Sequence, residues 1–169
     1  MHKRHARINL GVQFLPRRLA FFELDPRVID SKPLCVLVAE DNPADVFLIR
    51  EALTGRFPDV EIVVQEDGEQ MMHWIDEAER GATPCPDVIL LDLNLPRISG
   101  EEALWKLRRS GICSDVPAVI VTSSDSPRDR KATASLGANH YFRKPTDLDE
   151  FMKLADLVGD ILSSKQEIL

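Results

Sequence analysis

Four short apolar runs in this chain each lead directly into a residue able to do chemistry. Leu34-Cys35-Val36-Leu37-Val38-Ala39 precedes Glu40-Asp41, and Val88-Ile89-Leu90-Leu91 precedes Asp92. Ala118-Val119-Ile120-Val121 precedes Thr122, and His140-Tyr141-Phe142 comes just before Lys144-Pro145. Runs this short, rich in β-branched residues, read as strands. The first two are continuously apolar rather than alternating, which predicts strands buried on both faces, as in a parallel sheet covered by helices. In such a sheet all strand C-termini share one edge, so residues distant in sequence converge there. Three carboxylates, a hydroxyl and an ammonium at one edge suit a divalent cation and a phosphoryl group.

Helical patterns fill the gaps between the runs. Asn42-Pro43 has the form of a helix start, with Asn at the cap and Pro in the first turn. Ala44, Phe47, Leu48 and Ala52 are expected to form its inward face, and Gly55 to Pro58 to end it. Val60–Val64 reads as a second strand, and Gly68–Glu79 as a helix with Met71, Met72, Ile75 and Ala78 inward. Pro84-Cys85-Pro86 separates that helix from a third strand at Asp87–Leu91. Gly100–Arg109 carries Ala103, Leu104 and Leu107, and Pro127–Leu136 is closed by Gly137. A last helix from Leu148 to Leu162 should bury Phe151, Leu154, Ala155, Val158 and Leu162. Five βα units with right-handed crossovers predict a flavodoxin-like (βα)5 three-layer sandwich with sheet order 2-1-3-4-5. The functional crevice is then expected between strands one and three, where Glu40-Asp41 and Asp92 fall.

At 169 residues the chain supports one sizeable core. The expected division is an N-terminal extension over 1–33, a body over 34–163 and a tail over 164–169. Residues 1–33 hold seven Lys and Arg against three Asp and Glu, lack periodicity, and are expected to be disordered; a non-native start or a basic-aromatic anchor are the other readings. The body holds fourteen against twenty-five, a poor match for nucleic acid. No apolar stretch approaches the roughly 18 residues of a membrane span, and no secretory signal is expected. Cys35, Cys85 and Cys113 are scattered without ligand spacing, so reduced thiols and a cytoplasmic location are expected.

Asp92 is the candidate nucleophile, a carboxylate able to form an acyl phosphate; an isolated Asp-x-Asn equally fits an Asx turn. Glu40, Asp41, Asp92 and the Asn94 backbone carbonyl form a candidate Mg²⁺ set, because adjacent carboxylates without a cation repel and raise a pKa. Thr122 can hydrogen-bond a phosphoryl oxygen, and Lys144 can pair with the carboxylates and later with that group. A cis bond before Pro145 is one way to aim Lys144 inward. His73 and His140 lack partners at ligand spacing, Met71-Met72 reads as core filling, and Arg128, Arg130 and Lys131 as a solvated face.

Taken together and in order, Val38-Ala39-Glu40-Asp41-Asn42-Pro43-Ala44-Asp45, Ile89-Leu90-Leu91-Asp92-Leu93-Asn94-Leu95-Pro96, Val121-Thr122-Ser123, Gly137-Ala138-Asn139 and Lys144-Pro145 resemble the receiver domain of two-component response regulators. The resemblance covers about residues 34–163. The Glu40–Asp45 stretch looks most like the stand-alone receivers that partner phytochromes.

The resemblance implies that Asp92 takes a phosphoryl group from a histidine kinase, with a phytochrome-type kinase as the candidate donor. Glu40, Asp41, Asp92 and the Asn94 carbonyl would hold Mg²⁺, and Thr122 and Lys144 would bind phosphoryl oxygens. Thr122 and Tyr141 would act as the switch pair that remodels the surface of the fourth helix, fifth strand and fifth helix. Such a protein is not an enzyme beyond catalysing its own phosphorylation and dephosphorylation. Ser123 stands where many members carry Ala or Gly; it is expected to prolong the acyl phosphate, read as slower phosphate loss than in Ser123→Ala. With little chain after the fifth helix, output is expected through a downstream protein, a phosphotransfer protein or a homodimer, with no nucleic acid or membrane partner. The alternative in the same family is a phosphorylation-independent pseudo-receiver acting as a binding scaffold. A haloacid-dehalogenase-type phosphatase expects Asp where Asn94 stands. A flavin module needs a phosphate-cradling loop where Glu40-Asp41-Asn42 stands.

Overall fold

A computed structural model describes residues 32–166. The elements are β1 (Cys35–Ala39), α1 (Pro43–Arg56), β2 (Glu61–Gln65), α2 (Gly68–Glu79), β3 (Val88–Leu91), α3 (Gly100–Arg108), β4 (Ala118–Thr122), α4 (Pro127–Ser135), β5 (His140–Arg143) and α5 (Leu148–Gln166). All strand pairs are parallel, in the order β2-β1-β3-β4-β5. The expected order is therefore the observed one, and β1 and β3, on either side of the reversal, are neighbours.

The period-two alternation of strands divides the core into two layers. Leu37, Ala39, Ile89, Leu91, Ala118 and Ile120 face Met71, Ile75 and Ala78 of α2 and Ala103, Leu104 and Leu107 of α3. Val36, Val38, Val88, Leu90, Val119 and Val121 face Ile49 and Leu53 of α1 and Phe151, Leu154, Val158 and Ile161 of α5. β1, β3 and β4 are buried along their whole length, which is why they carry no polar residue until their ends.

Each of the first four helices begins at a side-chain cap. Asn42 accepts from the Ala44 amide, Asp67 from Gln70 and Ser126 from Asp129, while Ser99 and Glu102 form a reciprocal capping box. Gly137 takes a φ of 92° after α4, the left-handed conformation that ends a helix cheaply. Gly100 has a different reason. A Cβ there would overlap the Asp92 carbonyl oxygen, so only glycine lets α3 start against the loop that follows β3.

Several expectations need correction. α1 turns Ile49, Ala52 and Leu53 inward, while Ala44 is exposed and Phe47 is 59% exposed. Its apolar residues span a band wide enough for two overlapping faces, and packing against α5 selects one. α5 buries Ile161 in preference to Leu162 and continues to Gln166, so the expected tail is helical at its start. Met72 is only partly buried, unlike Met71.

The largest correction is chemical. Cys85 and Cys113 are bridged, with Cα atoms 5.6 Å apart and a sequence separation of 28. Both lie in loops that lead into neighbouring strands, β3 and β4, so the parallel fold brings together what the sequence keeps apart. Cys35 is the free, buried thiol, and burial pushes its pKa up. No cis peptide occurs among the described residues, so Lys144 enters Pro145 through a trans bond. Among those residues no helix is long and apolar enough to cross a membrane. The expectations for residues 1–31 and 167–169 lie outside the described residues.

Candidate functional site

The strand ladder itself assembles the crevice. The Glu40 amide donates to the Gln65 carbonyl at 3.0 Å, which fixes the end of β1 against β2. The Asp92 amide donates to the Ala39 carbonyl at 2.9 Å, so Asp92 stands beside Glu40 by sheet register. The Lys144 amide donates to the Thr122 carbonyl at 2.8 Å and ties the end of β5 to the end of β4.

Lys144 is the centre of the arrangement. Its Nζ lies 2.7 Å from Glu40 Oε2, 2.7 Å from Asp92 Oδ2 and 2.9 Å from Asp45 Oδ2. Glu40 and Asp92 are buried, and the other Glu40 oxygen accepts from the Asn42 amide at 3.1 Å. Asp92 Oδ1 accepts from the Asn94 amide at 3.2 Å. The Asx turn, one of the two sequence readings of this residue, is present, and it leaves the other carboxylate oxygen on Lys144. Lys144 reaches all three acids without a cis bond.

Charge balance explains the titration of the pair. Burial pushes the Glu40 carboxyl above the usual glutamate range, against the lowering effect of its bond to Lys144. Burial also works against the Lys144 ammonium, but the bonds from Asp92, Glu40 and Asp45 together outweigh it and raise its pKa above the ordinary lysine value. The two partners therefore report different things. One cation serves three anions, so the cation is well stabilised and the most buried anion is not. We read the pair as ionised, because a 2.7 Å contact between full charges offsets much of the desolvation.

Glu40, Asp41 and Asp92 each offer an oxygen within 4.8 Å of the others, with Asp41 exposed. This all-oxygen, clustered and under-neutralised donor set fits a hard divalent cation. Thr122 is fully buried at the end of β4, and its Oγ1 accepts from the Ser124 amide at 3.3 Å. Tyr141 donates its hydroxyl to the Ser124 carbonyl at 3.1 Å, and the Arg130 guanidinium sits 4.2 Å from the centre of its ring. Ser124 therefore joins Thr122 to Tyr141. Ser123 is exposed next to Thr122.

His73 and His140 are exposed and hold no place in the crevice. Arg128 and Lys131 are solvated as expected, whereas Arg130 packs on Tyr141. Asp45 was missed by sequence reasoning. Its signal was its position in the first turn of α1, four residues after Asp41, where a helical side chain leans back toward the N-terminus and hence toward the strand ends.

The family model of the response regulator receiver domain matches residues 36–156. The response regulator Rcp1 of Synechocystis sp. is 32% identical over 125 residues, covering 73% of this chain and 85% of Rcp1. The probable methanogenesis regulatory protein FilR2 of Methanothrix harundinacea is 31% identical over 133 residues, covering 76% and 83%. Among solved structures, the phosphorylated cyanobacterial phytochrome response regulator RcpA superposes with a TM-score of 0.72 at 29% identity, covering 79% of this chain and 96% of RcpA. The Mn²⁺-bound form of Rcp1 superposes with a TM-score of 0.68 at 31% identity, covering 76% and 93%.

Proposed function

This chain belongs to the response regulator receiver family, and from that premise we propose that Asp92 is its phosphoacceptor within a body spanning residues 34–163. The observation that carries the reading is the placement of Asp92 at the end of β3, bonded to Lys144 and clustered with Glu40 and Asp41. An Asp92 carboxylate oxygen attacks phosphorus while the bond from phosphorus to a kinase histidine nitrogen breaks. The product is an acyl phosphate, and the departing imidazole keeps the electron pair. Mg²⁺, held by Glu40, Asp41, Asp92 and the Asn94 carbonyl, supplies charge neutralisation at the transferring group. Lys144 and Thr122 take phosphoryl oxygens as partners. The chain promotes its own phosphorylation and dephosphorylation and no other reaction.

Signal leaves the crevice through packing. Capture of the Thr122 hydroxyl by a phosphoryl oxygen disturbs its bond to the Ser124 amide, and Ser124 is the acceptor for Tyr141. The surface of α4, β5 and α5 changes with it. The likeness to RcpA, a phytochrome response regulator, supports a phytochrome-type histidine kinase as donor; a downstream protein, a phosphotransfer protein or a second copy receives the signal. A cytoplasmic location follows from that partnership.

The alternative, a pseudo-receiver scaffold, draws on one observation: every Lys144 N–H already has a carboxylate partner, as in a purely structural ion cluster. Incubation with acetyl phosphate followed by intact mass measurement separates the two. The phosphoacceptor reading expects one added phosphoryl group with Mg²⁺ and none with EDTA or in Asp92→Asn. No addition under any condition would leave the scaffold.

A further inference from the structure

An ammonium has three N–H donors, and at Lys144 all three are occupied. Glu40 Oε2 and Asp92 Oδ2 take two at 2.7 Å, and Asp45 Oδ2 takes the third at 2.9 Å. A phosphoryl oxygen that binds Lys144 must therefore displace one carboxylate. The three differ in how easily they can yield. The Glu40 side chain is 1% exposed and uses its second oxygen on the Asn42 amide, so its release would leave a buried, uncompensated charge. Asp92 carries the incoming group itself and stays within reach. The Asp45 side chain is 21% exposed, makes the longest of the three contacts, and keeps a second partner in the Asn42 amide nitrogen Nδ2, 3.2 Å from the same oxygen.

We propose that Asp45 is a positioning residue that occupies, in the resting protein, the place on Lys144 that a phosphoryl oxygen takes after transfer. The inference rests on the reading of Asp92 as phosphoacceptor. Asp45 keeps the ammonium aimed into the crevice while the site is empty of phosphate. It then competes with the phosphoryl group and lowers the occupancy of the phosphorylated state. Because Asp45 stands in the first turn of α1, its release also frees that turn from the loop that follows β5. Phosphorylation thereby acts on a second element besides the loop after Thr122.

The test uses the full-length protein with saturating Mg²⁺ and beryllofluoride, a stable stand-in for a phosphoryl group on a carboxylate. The bound ¹⁹F resonance gives the half-saturating concentration. Asp45→Asn, with Asp45→Ser as a second replacement, is compared with Glu66→Gln. Glu66 is exposed and lines the same hollow as Glu40 and Asp41 without touching Lys144, so it reports the loss of a charge alone. A parallel Mn²⁺ titration verifies that the metal is saturating in every variant, and a urea midpoint verifies folding. The expected result is that both Asp45 replacements lower the half-saturating concentration roughly two- to fivefold relative to Glu66→Gln. A shift equal to that of Glu66→Gln, or weaker binding than wild type, would overturn the role of Asp45 and leave Asp92 as acceptor. No bound resonance in the wild type would overturn both readings.

Discussion

Arg108 and Lys144 each organise one edge of the same sheet, and they do so in opposite ways. Where the strands begin, Arg108 sends its N–H groups to the carbonyls of Gly137, Ser114 and Val116 and to Asn139 Oδ1, at 2.8 to 3.0 Å. Asn139 Oδ1 also accepts from the Ala118 amide. The Cys85–Cys113 bridge and the bonds between Glu79 and the Ser110–Gly111 turn lie at this edge too. Nearly all these acceptors are neutral, so a single half-buried cation meets partial charges with no repulsion among them. Burial draws the Arg108 pKa down, but arginine remains charged at any pH the fold survives.

Where the strands end, Lys144 serves three full negative charges, and Asp41 adds a fourth beside them. Satisfied geometry and unsatisfied charge coexist. One edge is built to stay as it is. The other keeps a surplus of anions close together, a standing attraction for a cation and a reason for its contacts to rearrange when the charge changes.

The sharpest way to break this contrast is to remove Lys144. Lys144→Ala leaves Glu40 and Asp92 buried without their cation, and a loss of roughly 3–5 kcal/mol in metal-free urea unfolding is expected. Mg²⁺ should restore part of it, because the account gives the metal the same anions. A loss that Mg²⁺ does not touch would mean the carboxylates do not share a metal.

Cutting the other edge should have a different signature. Replacing both Cys85 and Cys113 by Ser opens a loop of 28 residues. The chain-entropy estimate for that loop is about 3–4 kcal/mol of stability, with phosphorylation by acetyl phosphate unchanged. An altered phosphorylation rate in the folded variant would show that the two edges communicate.

Gly100→Ala sits between these cases. The added methyl must push α3 away from the Asp92 carbonyl, at a cost of about 1–3 kcal/mol, and should slow phosphorylation as well. A variant that loses stability but keeps its rate would show that the loop after β3 need not be held closely.

The smallest effect is expected from pH. Burial raises the Glu40 pKa above its unfolded value, so its contribution favours folding at low pH and is lost as pH rises through the raised value. Metal-free stability followed from the ordinary glutamate range up to neutrality should carry this decline, and Glu40→Gln should flatten it. The Lys144 shift has no bearing on that window, because its raised pKa affects stability only above the ordinary lysine range. A steeper decline in Glu40→Gln would contradict the charge surplus.

The same contrast governs what could be read from sequence. Glu40, Asp92, Thr122 and Lys144 were legible because each ends or follows an apolar strand, and parallel topology leaves strand ends one place to go. Asp45 was not, because its contribution depends on the direction of a helical side chain, not on a strand end. The Cys85–Cys113 bridge was hidden for a related reason: its residues occupy loops, whose paths the hydrophobic pattern does not record. The inward face of α1 was ambiguous because Phe47, Leu48, Ile49, Ala52 and Leu53 make a band wider than one face, and only the packing of α5 decides between its edges.

The most direct measurement is to locate the phosphoryl group. After treatment with acetyl phosphate and Mg²⁺, borohydride reduces an aspartyl phosphate to homoserine, and peptide mass mapping finds the altered residue. Conversion is expected at position 92 alone, and none without Mg²⁺. Conversion at Asp41 or Asp45, or a phosphoryl group on a histidine with Asp92 intact, would contradict it.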